Sequence, residues 1–110
     1  MDWEHPREHY RIVYPTAARP VFTSGAIEHD VVDVSEQGMR FRAVEGEIWE
    51  LEDPVVGVVR FQRRDEVKVS GVVIRLVGRE IAARLSIGIP LKTIIDEQRY
   101  LREHHRGSAW

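Results

Sequence analysis

The sequence has no cysteine. This excludes disulfides, thiolate zinc sites, iron–sulfur clusters and thiol nucleophiles together, and it fits a reducing compartment. Long apolar runs are missing as well. The longest stretch free of Asp, Glu, Lys and Arg is Pro20 to Ile27, far short of the ~20 apolar residues that a membrane-spanning helix needs. Met1-Asp2-Trp3-Glu4 has no basic start and no apolar run behind it, so no secretory signal is expected, and a cytoplasmic location is. Lysine is nearly absent: 14 of the 16 basic residues are Arg, the exceptions being Lys68 and Lys92. Aromatics are scarce, with three each of Phe, Tyr and Trp, and the net charge is −2. A basic, aromatic-lined groove for a nucleic-acid polymer is therefore not expected.

The composition that remains is globular, with 31% charged and 43% hydrophobic residues over 110 positions. A chain of this length buries about two thirds of its unfolded surface, enough for one core without covalent staples. The arginine skew has two readings. One is GC-rich coding. The other is chemical: a planar fork grips a phosphate, a carboxylate or a guanine edge better than an ammonium does.

Residues 1–17 read as a flexible arm, polar without a clean period and interrupted by Pro6 and Pro15. From 18 to 106 the signals are those of one domain. Strands are expected over Pro20–Thr23, Ala26–Val34, Met39–Val44, Val55–Phe61, Glu66–Val77 and Glu80–Ser86, separated by turn residues. Glu45 to Pro54 reads as an acidic loop around Trp49, which is expected to plug a barrel end. A helix is expected over about 90–105, with Leu91, Ile94, Ile95 and Leu101 on one face and Asp96, Glu97, Arg99 and Arg102 on or near the other. Pro90 suits its first turn. Residues 107–110 form a tail. Six short strands and one terminal helix indicate an all-β antiparallel barrel or sandwich carrying a helix.

Two patterns carry chemistry. Arg7 and Arg11 form R-x-x-x-R, a spacing that recurs at Arg60/Arg64, Arg75/Arg79 and Arg102/Arg106 and is weak alone. Asp33-Val34-Ser35-Glu36-Gln37-Gly38 forms D-x-S-x-x-G, which occurs once. By itself the hexapeptide reads as a hairpin turn, closed by Asp and Ser side chains with Gly supplying a positive φ. The pair is more specific in its order: the arginines stand before the first strand and the hexapeptide between the second and third.

This combination resembles the PilZ domain, a bacterial receptor module for the second messenger cyclic di-GMP. The resemblance runs roughly from Glu4 to the terminal helix. It implies a six-stranded antiparallel β-barrel with a C-terminal helix, and a ligand clamped between arm and barrel. By the resemblance, Arg7 and Arg11 are the arginine pair, Asp33 the acidic position, and Ser35 and Gly38 the turn that receives the ligand. The chemistry is consistent with those roles. Cyclic di-GMP offers two anionic phosphodiesters and two guanines, whose O6 and N7 accept a bidentate Arg. The N1–H and N2–H₂ edge suits a carboxylate such as Asp33. Some relatives stack a Trp on guanine near the end of the fifth strand. Here that stretch is Gly71-Val72-Val73-Ile74-Arg75-Leu76, and Arg75 is the residue available to stack.

The expected function is a non-enzymatic cyclic di-GMP receptor or adaptor, a monomer or weak homodimer, that signals to an unidentified protein partner through ordering of its arm. The alternative is a PilZ-like interaction module without the nucleotide. No cofactor, metal or catalytic set is expected. His5 and His9 are four apart, but Pro6 lies between them and no third ligand is evident.

Overall fold

The computed structural model describes residues 11–105. Its strands are β1 (Ile12–Val13), β2 (Val21–Ser24), β3 (Ile27–Ser35), β4 (Gly38–Arg42), β5 (Pro54–Arg60), β6 (Glu66–Val77) and β7 (Glu80–Ile87). A 3-10 turn spans Thr16–Ala18, and α1 spans Leu91–His104. Every strand pairing is antiparallel. Around the ring the order is β3-β2-β5-β6-β7-β4, and the β3–β4 pairing closes it. This is the expected six-stranded barrel with one C-terminal helix. The short β1 is an addition, bonded onto β3 through Ile12↔Val34 and Val13↔Asp33.

Alternation builds the core. Inward positions along the strands supply Phe22, Val31, Met39, Phe41, Val55, Val59, Val69, Val73, Ile81 and Leu85, all buried. β6 is long enough to pair with both neighbours, and two register shifts, at Ser70/Gly71 and Val73/Arg75, bend it around the ring. Gly71 sits at one of them. A Cβ there would lie 2.0 Å from the Arg84 carbonyl oxygen, so no other residue fits without moving a backbone.

The two barrel ends are closed differently. At one, Trp49 packs edge-on against Phe41 and His29 from the loop between β4 and β5, as the plug reading expected. That loop is held by His29, whose Nε2 lies 2.9 Å from Glu47 Oε2 while its Nδ1 lies 3.1 Å from the Phe22 carbonyl oxygen. At the other end, α1 buries Ile94 and Leu101 in the core.

Two expectations for the chain need correcting. Ile12–Tyr14 fall in the segment read as an arm, but Ile12 and Tyr14 are buried and Ile12–Val13 lie in the sheet. Glu97 was placed on or near the outer side of the helix, yet it is buried. The reason is a local polar set: the Tyr14 hydroxyl donates to Glu97 Oε1 at 2.5 Å, and Arg63 Nε donates to Oε2 at 2.8 Å. Leu91 and Ile95 are correspondingly left partly in water.

Candidate functional site

The turn between β3 and β4 is set by register. Ser35 pairs with Gly38, Val34 with Met39 and Asp33 with Arg40. A two-residue connection, Glu36-Gln37, thus puts Arg40 directly across from Asp33. Gly38 does not have the positive φ expected of it; the glycines that do are Gly25, Gly46 and Gly78. Its small size is what the turn uses, since a Cβ at 38 would sit 3.1 Å from Ser35 Oγ.

Asp33 is the buried centre of the site, with 1% of its side chain exposed. Its two oxygens are shared out. Arg11 Nη1 lies 3.1 Å from Oδ1, while Arg40 donates to Oδ2 from Nε at 2.9 Å and from Nη2 at 2.5 Å. Arg40 also reaches Glu80 Oε1 at 3.3 Å. The hydrogen bond to Asp33, opposed by burial and helped by the charges of Asp33 and Glu80, holds the Arg40 guanidinium's pKa above its usual value.

Around this pair lies a cleft of about 580 Å³ on the outer face of β3, β4, β7 and the end of β6. That volume falls within the roughly 300–1,000 Å³ of small-molecule sites. Arg11, Asp33, Ser35, Gly38 and Arg75, read from the sequence as site residues, all line it. Arg7 lies outside the described residues. The sequence reading did not include Arg40, Arg84 or the floor formed by Ala82, Ile74 and Val77. A signal for Arg40 was present, because counting outward from a two-residue turn assigns it to Asp33. Arg84 carried none, since its place depends on the β4–β7 pairing Gly38↔Arg84.

Arg11, Arg40, Arg75 and Arg84 line the cleft beside the carboxylates of Asp33, Glu36 and Glu80. Arg75 and Arg84 make no ion pair among the described residues, whereas Arg11 and Arg40 are engaged by Asp33. The two unpaired guanidinium groups suit an anionic ligand whose flat bases present acceptor edges. The floor of the cleft is aliphatic, and no aromatic lines it among the described residues.

The cleft is tied to the helix. Ile89 N–H donates to the Glu36 carbonyl and Leu85 N–H to the Gln37 carbonyl, both at 2.9 Å. Gly88 packs so closely that a Cβ would fall 1.9 Å from the Glu36 oxygen. The turn and the approach to α1 therefore form one unit.

Among the described residues no group of three or more His, Asp or Glu is placed to hold a metal, and no helix is long and apolar enough to cross a membrane. No curated protein matches the chain. The family comparison does find a match: the PilZ domain model covers residues 5–104 of the 110. PilZ domains are receptor and adaptor modules whose known role is to bind cyclic di-GMP, and with a closed six-stranded barrel, a C-terminal helix and a match over nearly its whole length, the chain belongs to the PilZ domain family.

Proposed function

We propose that this chain binds cyclic di-GMP in the cleft around Asp33 and passes its occupancy to a protein partner. The observation that carries the reading is the gathering of Arg11, Asp33, Ser35, Gly38 and Arg75 on one arginine-rich face. In the proposed complex Arg11 leaves Asp33 and forks to a phosphodiester or to guanine O6 and N7, with Arg7 beside it. Half of the Arg11 side chain is exposed, and Arg40 stays on Asp33, so the buried carboxylate keeps a charged partner when Arg11 leaves. Arg40 keeps Asp33 aimed, and the freed Oδ1 accepts from the guanine N1–H and N2–H₂ edge. Ser35 Oγ, with no hydrogen-bond partner among the described residues, donates to the ligand. Arg75 and Arg84 close the far side, and Arg75 takes the stacking position.

Binding orders the residues up to Arg11, at about 1–2 kcal/mol for each one fixed. Charge-assisted bonds of about 1.5–3 kcal/mol each offset that loss, which gives a moderate affinity. Isothermal titration with cyclic di-GMP tests the reading. Saturable heat is expected, and Arg7→Ala and Arg11→Ala should each weaken binding by about tenfold or more, the loss of about 1.4 kcal/mol. No heat with the folded protein rejects it.

The alternative, a protein-interaction module that ignores the nucleotide, is favoured by one observation: Arg11 already has a partner in Asp33. The same titration separates the two readings.

A further inference from the structure

The barrel end closed by the loop between β4 and β5 carries a surface that the nucleotide cleft does not use. The loop is folded firmly. Glu52 N–H donates to the Val73 carbonyl at 2.8 Å, Val73 N–H to the Asp53 carbonyl at 3.0 Å, and Glu50 N–H to Asp53 Oδ2 at 2.8 Å. Glu52 itself is held at φ +70°, a left-handed conformation that non-glycine residues seldom adopt. This fixed loop nevertheless leaves Ile48 84% and Leu51 60% exposed. Ile48 shares a shallow cleft of about 520 Å³ with Leu76 from the end of β6. Nothing in the fold requires large aliphatic side chains at these places, because Trp49 already seals the core beneath them.

The exposed charge on this loop is predominantly acidic, with Arg79 the cation beside it. Glu45, Glu50 and Glu52 are exposed and make no ion pair among the described residues. Glu47 is occupied by His29, and Arg79 in that cleft donates to the Ala43 carbonyl and keeps its charge, so the three exposed carboxylates leave an acidic excess. A loop that exposes aliphatic side chains among carboxylates in excess complements a segment that carries aliphatic and cationic side chains.

We propose that this end of the barrel docks a basic amphipathic segment of another protein. Its aliphatic side chains cover Ile48, Leu51 and Leu76, and its Lys or Arg side chains meet Glu45, Glu50 and Glu52. The surface shares no lining residue with the nucleotide cleft, and its test needs no nucleotide.

The test uses the full ¹⁵N-labelled chain and two short synthetic peptides with the same Leu/Val pattern, one carrying Lys and the other Glu at the remaining positions. The Lys peptide is expected to shift the amides of residues 45–53 and 76–79 saturably, and the Glu peptide to leave them unmoved. Ile48→Ser combined with Leu51→Ser should weaken the Lys peptide by about tenfold or more. Glu50→Lys combined with Glu52→Lys should reverse the preference. All four positions are exposed, so the thermal midpoint should hold and report that the variants are folded. Equal shifts with both peptides, shifts confined elsewhere, or none at millimolar peptide would overturn the proposal. So would sedimentation showing self-association that Ile48→Ser abolishes, which assigns the surface to a second copy. Movement of the amides of residues 1–10 in that variant would assign it to the chain's own N-terminal residues and equally overturn it.

Discussion

Arg11 and Arg40 meet one carboxylate from its two oxygens, but they do different work. Arg40 is locked by two bonds to Asp33 and a longer one to Glu80, whereas Arg11, among the described residues, makes a single ion-pair contact from a half-exposed side chain. Arg40→Ala should therefore lower stability by about 1.5–3 kcal/mol in urea unfolding, because a buried carboxylate loses charged hydrogen bonds. Arg11→Ala should leave the unfolding midpoint nearly unchanged. Equal destabilisation by the two would show that Asp33 does not distinguish them. A second residue-scale prediction concerns Glu47. Burial tends to raise its pKa, but the hydrogen bond with His29 and the Val44 N–H outweigh it and hold the carboxyl below its ordinary 4.5. The unfolded chain then binds that proton more tightly than the folded one. Stability from this group is present above pH about 4.5 and falls away as pH drops through the lower folded value. Acid unfolding should be less steep in Glu47→Gln, and an unchanged profile would remove the group from the balance. Much at this scale was legible in the sequence. D-x-S-x-x-G located the turn, and its length gives Arg40 by register. The Tyr14–Glu97 bond was not legible, because 83 residues separate its ends and no periodicity links them.

Gly88 is the joint between the β3–β4 turn and the approach to α1, and its constraint is space, since a methyl group would enter the Glu36 carbonyl. Gly88→Ala should cost about 1–3 kcal/mol by overpacking. It should also weaken cyclic di-GMP more than that stability loss alone explains, because it displaces Glu36 and Gln37 from the cleft. Calorimetry on the folded variant reads this directly, and wild-type affinity would show that the turn tolerates the shift. The helix is fastened a second time by Tyr14, which stands three residues beyond Arg11 and bonds to buried Glu97. A pull on Arg11 thus acts on a short strand whose next side chains lie under α1. The six long strands and the helix were readable from alternation and turn residues to within a residue or two at most ends. β1 was not, since two residues display no alternation, and its place is decided by Asp33 and Val34 on β3 rather than by local preference.

For the molecule as a whole, the turn, the segment from Leu85 to Ile89 and the helix behave as one body with the cleft on its flank. Saturating cyclic di-GMP should slow amide exchange at residues 36–38 and at the start of α1, not at the ligand contacts alone. Protection confined to the residues around Arg11 would exclude the helix as the route outward. The closed ring has one more result. Because β3 and β4 join the ends of the sheet, no long row of unsatisfied peptide groups faces solvent among the described residues, and β1 offers only two residues. Another polypeptide cannot extend this structure by adding a strand along such a border. Recognition of this protein must then be written in side chains, so its affinities can be retuned one substitution at a time while the scaffold beneath stays the same.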